Sequence, residues 1–196
     1  RVICDGDWGI AEGLIYTDWE EQLFDPRYLL LNQDIKTSFG LDFGYAVSEN
    51  AFVALAVDLK TYTMWIFDEM YENGMTNLDI AKRITEMGYA KEMIWADAAE
   101  PKSIYELQQG FMDEKDGEYT RFALPNIRPA LKGPDSVNNG IARMQQFHII
   151  VHPRCVNTLR ELSTYHWDVD KDGNFTGKPC KEDDHCLVAG TMVLTD

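Results

Sequence analysis

The sequence predicts a mixed α/β domain: an antiparallel meander of three strands, then βα units that extend the sheet and lay helices on its faces. Three observations carry this. Apolar runs of strand length follow one another from Thr37 to Tyr71 with short connections. After Thr76 the apolar spacing changes to the helical period. From there, strand-like and helix-like stretches alternate.

Residues 1–35 mix Gly, Pro, Asp and aromatics without a clear period, and read as a linker or the edge of a preceding domain. The first strand is TSFGLDFGY, ending at Gly44; AFVALAVDL (51–59) and TYTMWIFDEMY (61–71) complete the meander. TNLDIAKRITEMG reads as a helix, with Thr76 as N-cap, Gly88 just past its end, and Leu78, Ala81, Ile84 and Met87 as its apolar stripe. EMIWADAA is a short buried strand ending at Asp97. PKSIYELQQG is a second helix, with Pro101 in its first turn and Gly110 after it. A strand in YTRFALP follows, then a helix in GPDSVNNGIARMQQF capped by Asp135 or Ser136. HIIVHP is a strand, CVNTLRELSTYHW a fourth helix, and WDVDKDGNFTG a hairpin turning at Asp172-Gly173. Asp170 and Asp172 start like a calcium loop, but the required Gly and Glu spacing fails.

Composition sets the bounds. With 196 residues and 45% hydrophobic side chains, the chain can bury one sizeable core. A net charge of −15 argues against a simple basic DNA-binding module, but not against an enzyme that holds cations among carboxylates. Cys4, Cys155, Cys180 and Cys186 form no C-x-x-C pair, so neither a zinc ribbon nor a redox motif is indicated. No signal peptide or membrane-length apolar run is visible, which points to the cytosol. The chain opens at Arg1 without a starting Met, as a fragment or processed chain would.

Two carboxylates stand out. Asp42 lies inside the apolar strand FGLDFGY, where Asp is disfavoured, and a buried carboxylate must be paired, protonated or metal-bound. Asp97 closes the strand MIWAD. If those strands are neighbours, the two carboxylates face one spot and repel unless a divalent cation neutralises them. Oxygen donors suit Mg²⁺ or Mn²⁺, and paired cations recur in phosphodiester cleavage. Glu69 near the end of the third strand, Glu100 beside Asp97, and Lys132 in the loop LKGPDS are accessory candidates for metal or phosphate contact. Each also has an ordinary reading, as a surface side chain or helix cap.

Taken together, GLDFGYAVSENAFVAL, DEMYENGMTNLDIAKRI, IWADAAEPKSIYEL, LKGPDSVNNGIARMQQFHIIVHP and LRELSTYHWDVDKDGN resemble the nuclease domain of the large terminase subunit of tailed bacteriophages. They cover most of residues 37–185. GDWGIAEGLIY resembles the segment leaving the ATPase domain of such subunits. The resemblance implies a ribonuclease H-like fold, with the nuclease domain over 36–185. It implies metal-dependent cutting of concatemeric double-stranded DNA in the bacterial host cytoplasm. The implied partners are the ATPase domain of the same subunit, a small terminase subunit and a portal protein, with no membrane. Asp42 and Asp97 correspond to the first two metal-binding acids, and His185 to the catalytic-motif histidine. Alternatives from other classes are a catalytically silent interaction module of the motor, or another ribonuclease H-like nuclease such as a resolvase.

The tail departs from that pattern. The resemblance calls for an Asp at position 188, where this chain has Val188; Asp183 and Asp184 precede His185 and would substitute only if the chain end folds back toward Asp42. CLVAGTMVLTD (186–196) resembles the start of an intein, with Cys186 as nucleophile and TMVLT as a strand.

Overall fold

The run Ala51–Val57 is buried along its whole length, and the domain is built around it. The computed structural model describes residues 13–44, 48–115, 117–130, 135–180 and 184–193. In chain order these form β1 (Trp19–Glu21), α1 (Pro26–Leu30), β2 (Lys36–Asp42), β3 (Glu49–Asp58), β4 (Thr63–Asn73), α2 (Asn77–Glu86), β5 (Ile94–Ala96) and α3 (Pro101–Gln109). They continue with β6 (Phe111–Lys115), β7 (Glu118–Phe122), β8 (Ile127–Pro129), α4 (Ser136–Met144), β9 (His148–Val151), α5 (Val156–Thr164), β10 (Trp167–Val169), β11 (Phe175–Pro179) and α6 (His185–Met192).

Seven strands form one mixed sheet in the order β1-β9-β4-β3-β2-β5-β8. The meander β2-β3-β4 is antiparallel, and β5, β8, β9 and β1 are added parallel at its two sides. Strand alternation then sorts the core. Phe52, Ala54 and Ala56 of β3 face one cluster with Ile80, Ala81 and Ile84 of α2 and Ile104 and Leu107 of α3. Leu55 and Val57 face a second with Ile141 and Met144 of α4 and Leu162 of α5. Burial on both faces is why β3 reads as a continuous apolar run and not as an alternating one.

The structure corrects the sequence reading in four places. YTRFALP is a strand, as read, but β7 pairs with β6 in a separate two-stranded sheet, and the place in the seven-stranded sheet belongs to β8. Leu78 is half-exposed and Ile80 takes its place in the buried stripe of α2. Asp135 sits at the cap position of α4 but makes no side-chain cap bond. Within the stretch read as irregular, β1 pairs with β9 at the sheet edge, and Ile15 and Tyr16 are buried in the second core cluster. Local propensity was too weak to announce a three-residue strand that exists through its partner.

Candidate functional site

β2 and β5 run parallel with Phe39 beside Ile94, Gly40 beside Trp95 and Leu41 beside Ala96. Asp42 and Asp97 each follow the last pair of this register by one residue, and the Asp97 N–H donates to the Leu41 carbonyl at 3.2 Å. Phe39, Leu41, Ile94 and Ala96 belong to the α2–α3 core. By alternation, Gly40, Asp42, Trp95 and Asp97 belong to the opposite face, where α6 lies. Gly40 makes room there: a Cβ at that position would stand 2.0 Å from the Ala189 carbonyl oxygen of α6. Asp42 is 8% exposed. Oδ1 of Asp97 accepts the Ala99 N–H at 2.8 Å, which turns the chain toward α3.

α6 completes the arrangement. His185 is its first residue, and Nδ1 lies 2.9 Å from Asp42 Oδ2. Nε2 is 3.9 Å from Glu49 Oε2, and the Tyr71 ring centre is 6.2 Å from the imidazole. The Asp42 hydrogen bond raises the His185 pKa above its ordinary value, against the opposing effect of burial. Asp184, at the cap position, accepts the Tyr165 hydroxyl at 3.2 Å; burial raises its pKa, and the Asp42 charge adds to this. The segment from Asp184 to Val193 therefore does fold back toward Asp42. Val188 follows His185 by three residues and Asp184 by four, so it shares their helix face and is half-buried.

The accessory candidates separate. Glu69 holds the N-terminus of α5: Oε1 accepts the Asn157 N–H at 2.8 Å and its side-chain amide at 3.0 Å, and Oε2 accepts the Thr158 N–H at 2.9 Å and hydroxyl at 2.7 Å. Glu100 occupies the N-cap position of α3 without a side-chain cap bond, and accepts Ser103 Oγ at 3.4 Å. Lys132 and Asp183 lie outside the described residues.

Sequence reasoning missed Glu161. This α5 residue has 0% exposure, and Oε2 accepts the Leu187 N–H at 3.0 Å. The signal was present: Thr158, Glu161, Leu162 and Tyr165 are buried at helical spacing, which puts an acid in a core slot of the stripe.

The strand expected in TMVLT is a further correction: Thr191 and Met192 end helix α6. Cys186 and Ala189 pack against Ala51 and Val53 of β3, and a Cβ at Gly140 of α4 would come 2.7 Å from Thr191 Cβ. The Cys186 thiol is buried, and burial raises its pKa well above the ordinary value, conditions that suppress the thiolate.

A mixed sheet with a central antiparallel meander, helices on both faces and two acids at adjacent strand ends defines a ribonuclease H-like domain. Residues 42–196 match the Terminase RNAseH like domain family, and the chain belongs to it. It is 35% identical over 159 residues to the PBSX phage terminase large subunit of Bacillus subtilis (strain 168), covering 80% of this chain and 34% of that protein. Against the terminase large subunit of Bacillus phage SPP1, identity is 29% over 182 residues, covering 92% of this chain and 38% of that protein. The chain thus spans little more than a third of these relatives. Among solved structures, the Mn-bound nuclease domain of the SPP1 large terminase g2p superposes with a TM-score of 0.77 at 24% identity, covering 91% of this chain and 96% of that one. The nuclease domain of the P22 large terminase gives 0.56 at 14%, covering 89% and 86%. At these identities the structural likeness speaks for the fold.

Proposed function

We propose that the domain is a divalent-cation-dependent endonuclease acting on double-stranded DNA in a phage packaging motor, with Asp42 and Asp97 as metal-binding carboxylates and His185 beside them. What supports this reading is that Asp42 and Asp97 each follow directly on the Leu41–Ala96 pair of two parallel neighbouring strands, with His185 bonded to Asp42. The donor set fits in kind. Carboxylate oxygens suit Mg²⁺ or Mn²⁺, and Mg²⁺ is commonly held by one or two carboxylates with waters and substrate phosphate oxygens. In number it is lean: among the described residues no three or more His, Cys, Asp or Glu side chains are grouped to hold a metal ion. When bound, such cations activate a water and stabilise the leaving oxygen of a phosphodiester. The chain's own residues prepare for this. His185 would hold the orientation of Asp42 through Nδ1, and the Asp42 hydrogen bond favours the protonated imidazole against the opposing effect of burial.

The relatives named as terminase large subunits support DNA as the substrate. With a net charge of −15, the domain would depend on its ATPase partner or on a small terminase subunit for most of its DNA affinity. Portal docking and a host-cytoplasm location belong to the same proposal; no helix among the described residues is long and apolar enough to cross a membrane. Val188, on the His185 face where the resemblance calls for Asp, favours a second reading, a catalytically silent module of the motor.

One plasmid-nicking experiment in Mn²⁺ separates them. Val188→Asp should raise cutting by roughly tenfold or more, the scale of a ligand-shell change. Asp42→Ala or Asp97→Ala placed on Val188→Asp should abolish it. Cutting that persists in excess chelator would rule out the metal reading, and a Val188→Asp protein as inert as the natural one would leave the silent module.

A further inference from the structure

Glu161 is a fully buried acid that the proposed chemistry leaves unused. Its Oε2 accepts the Leu187 N–H at 3.0 Å, the Cys186 N–H also favours its charged form, and Oε1 has no hydrogen-bond partner. Cys186 and Leu187 are the second and third residues of α6, whose N–H groups find no acceptor within the helix. α6 does not cap itself. Asp184 at its cap position makes no side-chain cap bond, and its carboxylate accepts the Tyr165 hydroxyl instead. One residue ahead of Cys186, His185 reaches Asp42 at 2.9 Å.

The same device appears one step earlier. Glu69 of β4 caps α5, and Glu161 of α5 caps α6. The two glutamates thus link the sheet to His185 through successive helix N-termini. An apolar side chain would fill the Glu161 slot at lower desolvation cost. What it would not supply is an acceptor for the first N–H groups of α6.

We propose that Glu161 is a positioning residue of the site: its carboxylate oxygen replaces the missing local cap of α6 and so sets where His185 stands against Asp42. This rests on reading Asp42 and His185 as site residues. It concerns the acceptor atom, so glutamine should serve in its place.

The test is NMR on the whole chain. Imidazole ¹⁵N shifts report the His185 hydrogen bond to Asp42, and amide exchange reports the cap. Glu161→Leu keeps the core filled and removes the acceptor. It should move the His185 ¹⁵N signals to those of a free imidazole and speed Cys186 and Leu187 amide exchange roughly tenfold, the loss of about one net hydrogen bond. Glu161→Gln should restore both. Unchanged His185 signals in a folded Glu161→Leu protein would overturn the proposal, and so would a glutamine variant that behaves like leucine. If the leucine variant does not fold, the natural protein decides: unprotected Cys186 and Leu187 amides would mean no cap exists. None of these readouts requires cutting. A failure of the nuclease reading, seen as nicking that survives Asp42→Ala, is therefore distinguishable from a failure of this one.

Discussion

Helices α2 and α6 are specified in opposite ways. α2 carries its instructions locally. The Thr76 side chain accepts the Asp79 N–H at 3.2 Å, the Asp79 carboxylate accepts the Thr76 N–H at 2.9 Å, and Ile80, Ala81 and Ile84 form one buried stripe. α6 has the sequence HCLVAGTM, with Val, Gly and Thr among its residues and no side-chain cap of its own. Cys186, Leu187, Ala189, Gly190 and Met192 are all buried, as expected of a helix apolar on most sides. It exists through the sheet under it, α4 and α5 beside it, and the Glu161 oxygen at its start. A helix that proposes itself can be found by pattern, whereas one that is accepted by its surroundings cannot.

The largest expected effect comes from closing the space α6 occupies. Gly40→Val would drive a side chain into the Ala189 carbonyl, and should destabilise the fold by about 3 kcal/mol, the upper range for overpacking. Urea unfolding measures the loss. Amide exchange should show α6 released while α2 stays protected. Equal loss from both helices would erase the contrast.

Next is pH, where the two caps have opposite signs. Burial pushes the Glu161 pKa up to about 7 from an ordinary 4.5. The folded state therefore holds a proton that the unfolded chain releases. The stability this contributes is full below about pH 4.5 and is lost as pH rises through 7. Natural protein should lose on the order of 3 kcal/mol relative to Glu161→Gln across that window and no more above it. Asp79 behaves oppositely: the Thr76 hydroxyl lowers its pKa, so its contribution is present above the ordinary carboxylate range and fades as pH falls through its lowered value. Urea titrations of natural and Glu161→Gln protein from pH 4 to 8 check the Glu161 sign, and Asp79→Asn compared with natural protein below pH 4 checks the other; a natural-minus-glutamine difference that is flat with pH would contradict the burial of Glu161.

The smallest effect is Thr76→Ala, which should cost about 1 kcal/mol by removing one half of the capping box. Exchange should rise in the first turn of α2 and leave Cys186 and Leu187 untouched. A response in α6 would show the two helices to be coupled after all.

Much of the fold was legible because it is periodic. The meander, α2, α3, α4, β9, α5 and the Asp172-Gly173 hairpin each announce themselves through spacing or turn chemistry. β1, β8 and α6 do not, since two are three-residue strands that exist by pairing and the third is an apolar run that suits strand or helix equally. Of the candidate site, Asp42 and Asp97 were visible as acids at apolar strand ends. Glu69 was visible too, but its four hydrogen bonds to the start of α5 were not, because they join residues some 88 positions apart.

Hydrophobic period, caps and turns act over a few residues, so most of the strands and helices could be read from the chain alone. The sequence also placed an acid at the end of each of two strands. Folding in three dimensions made those strands neighbours in register, folded His185–Met192 as a helix onto Asp42, and set Glu161 at its head. Those outcomes depend on where a buried face and an unsatisfied N–H group find partners, and the partners lie far away along the chain.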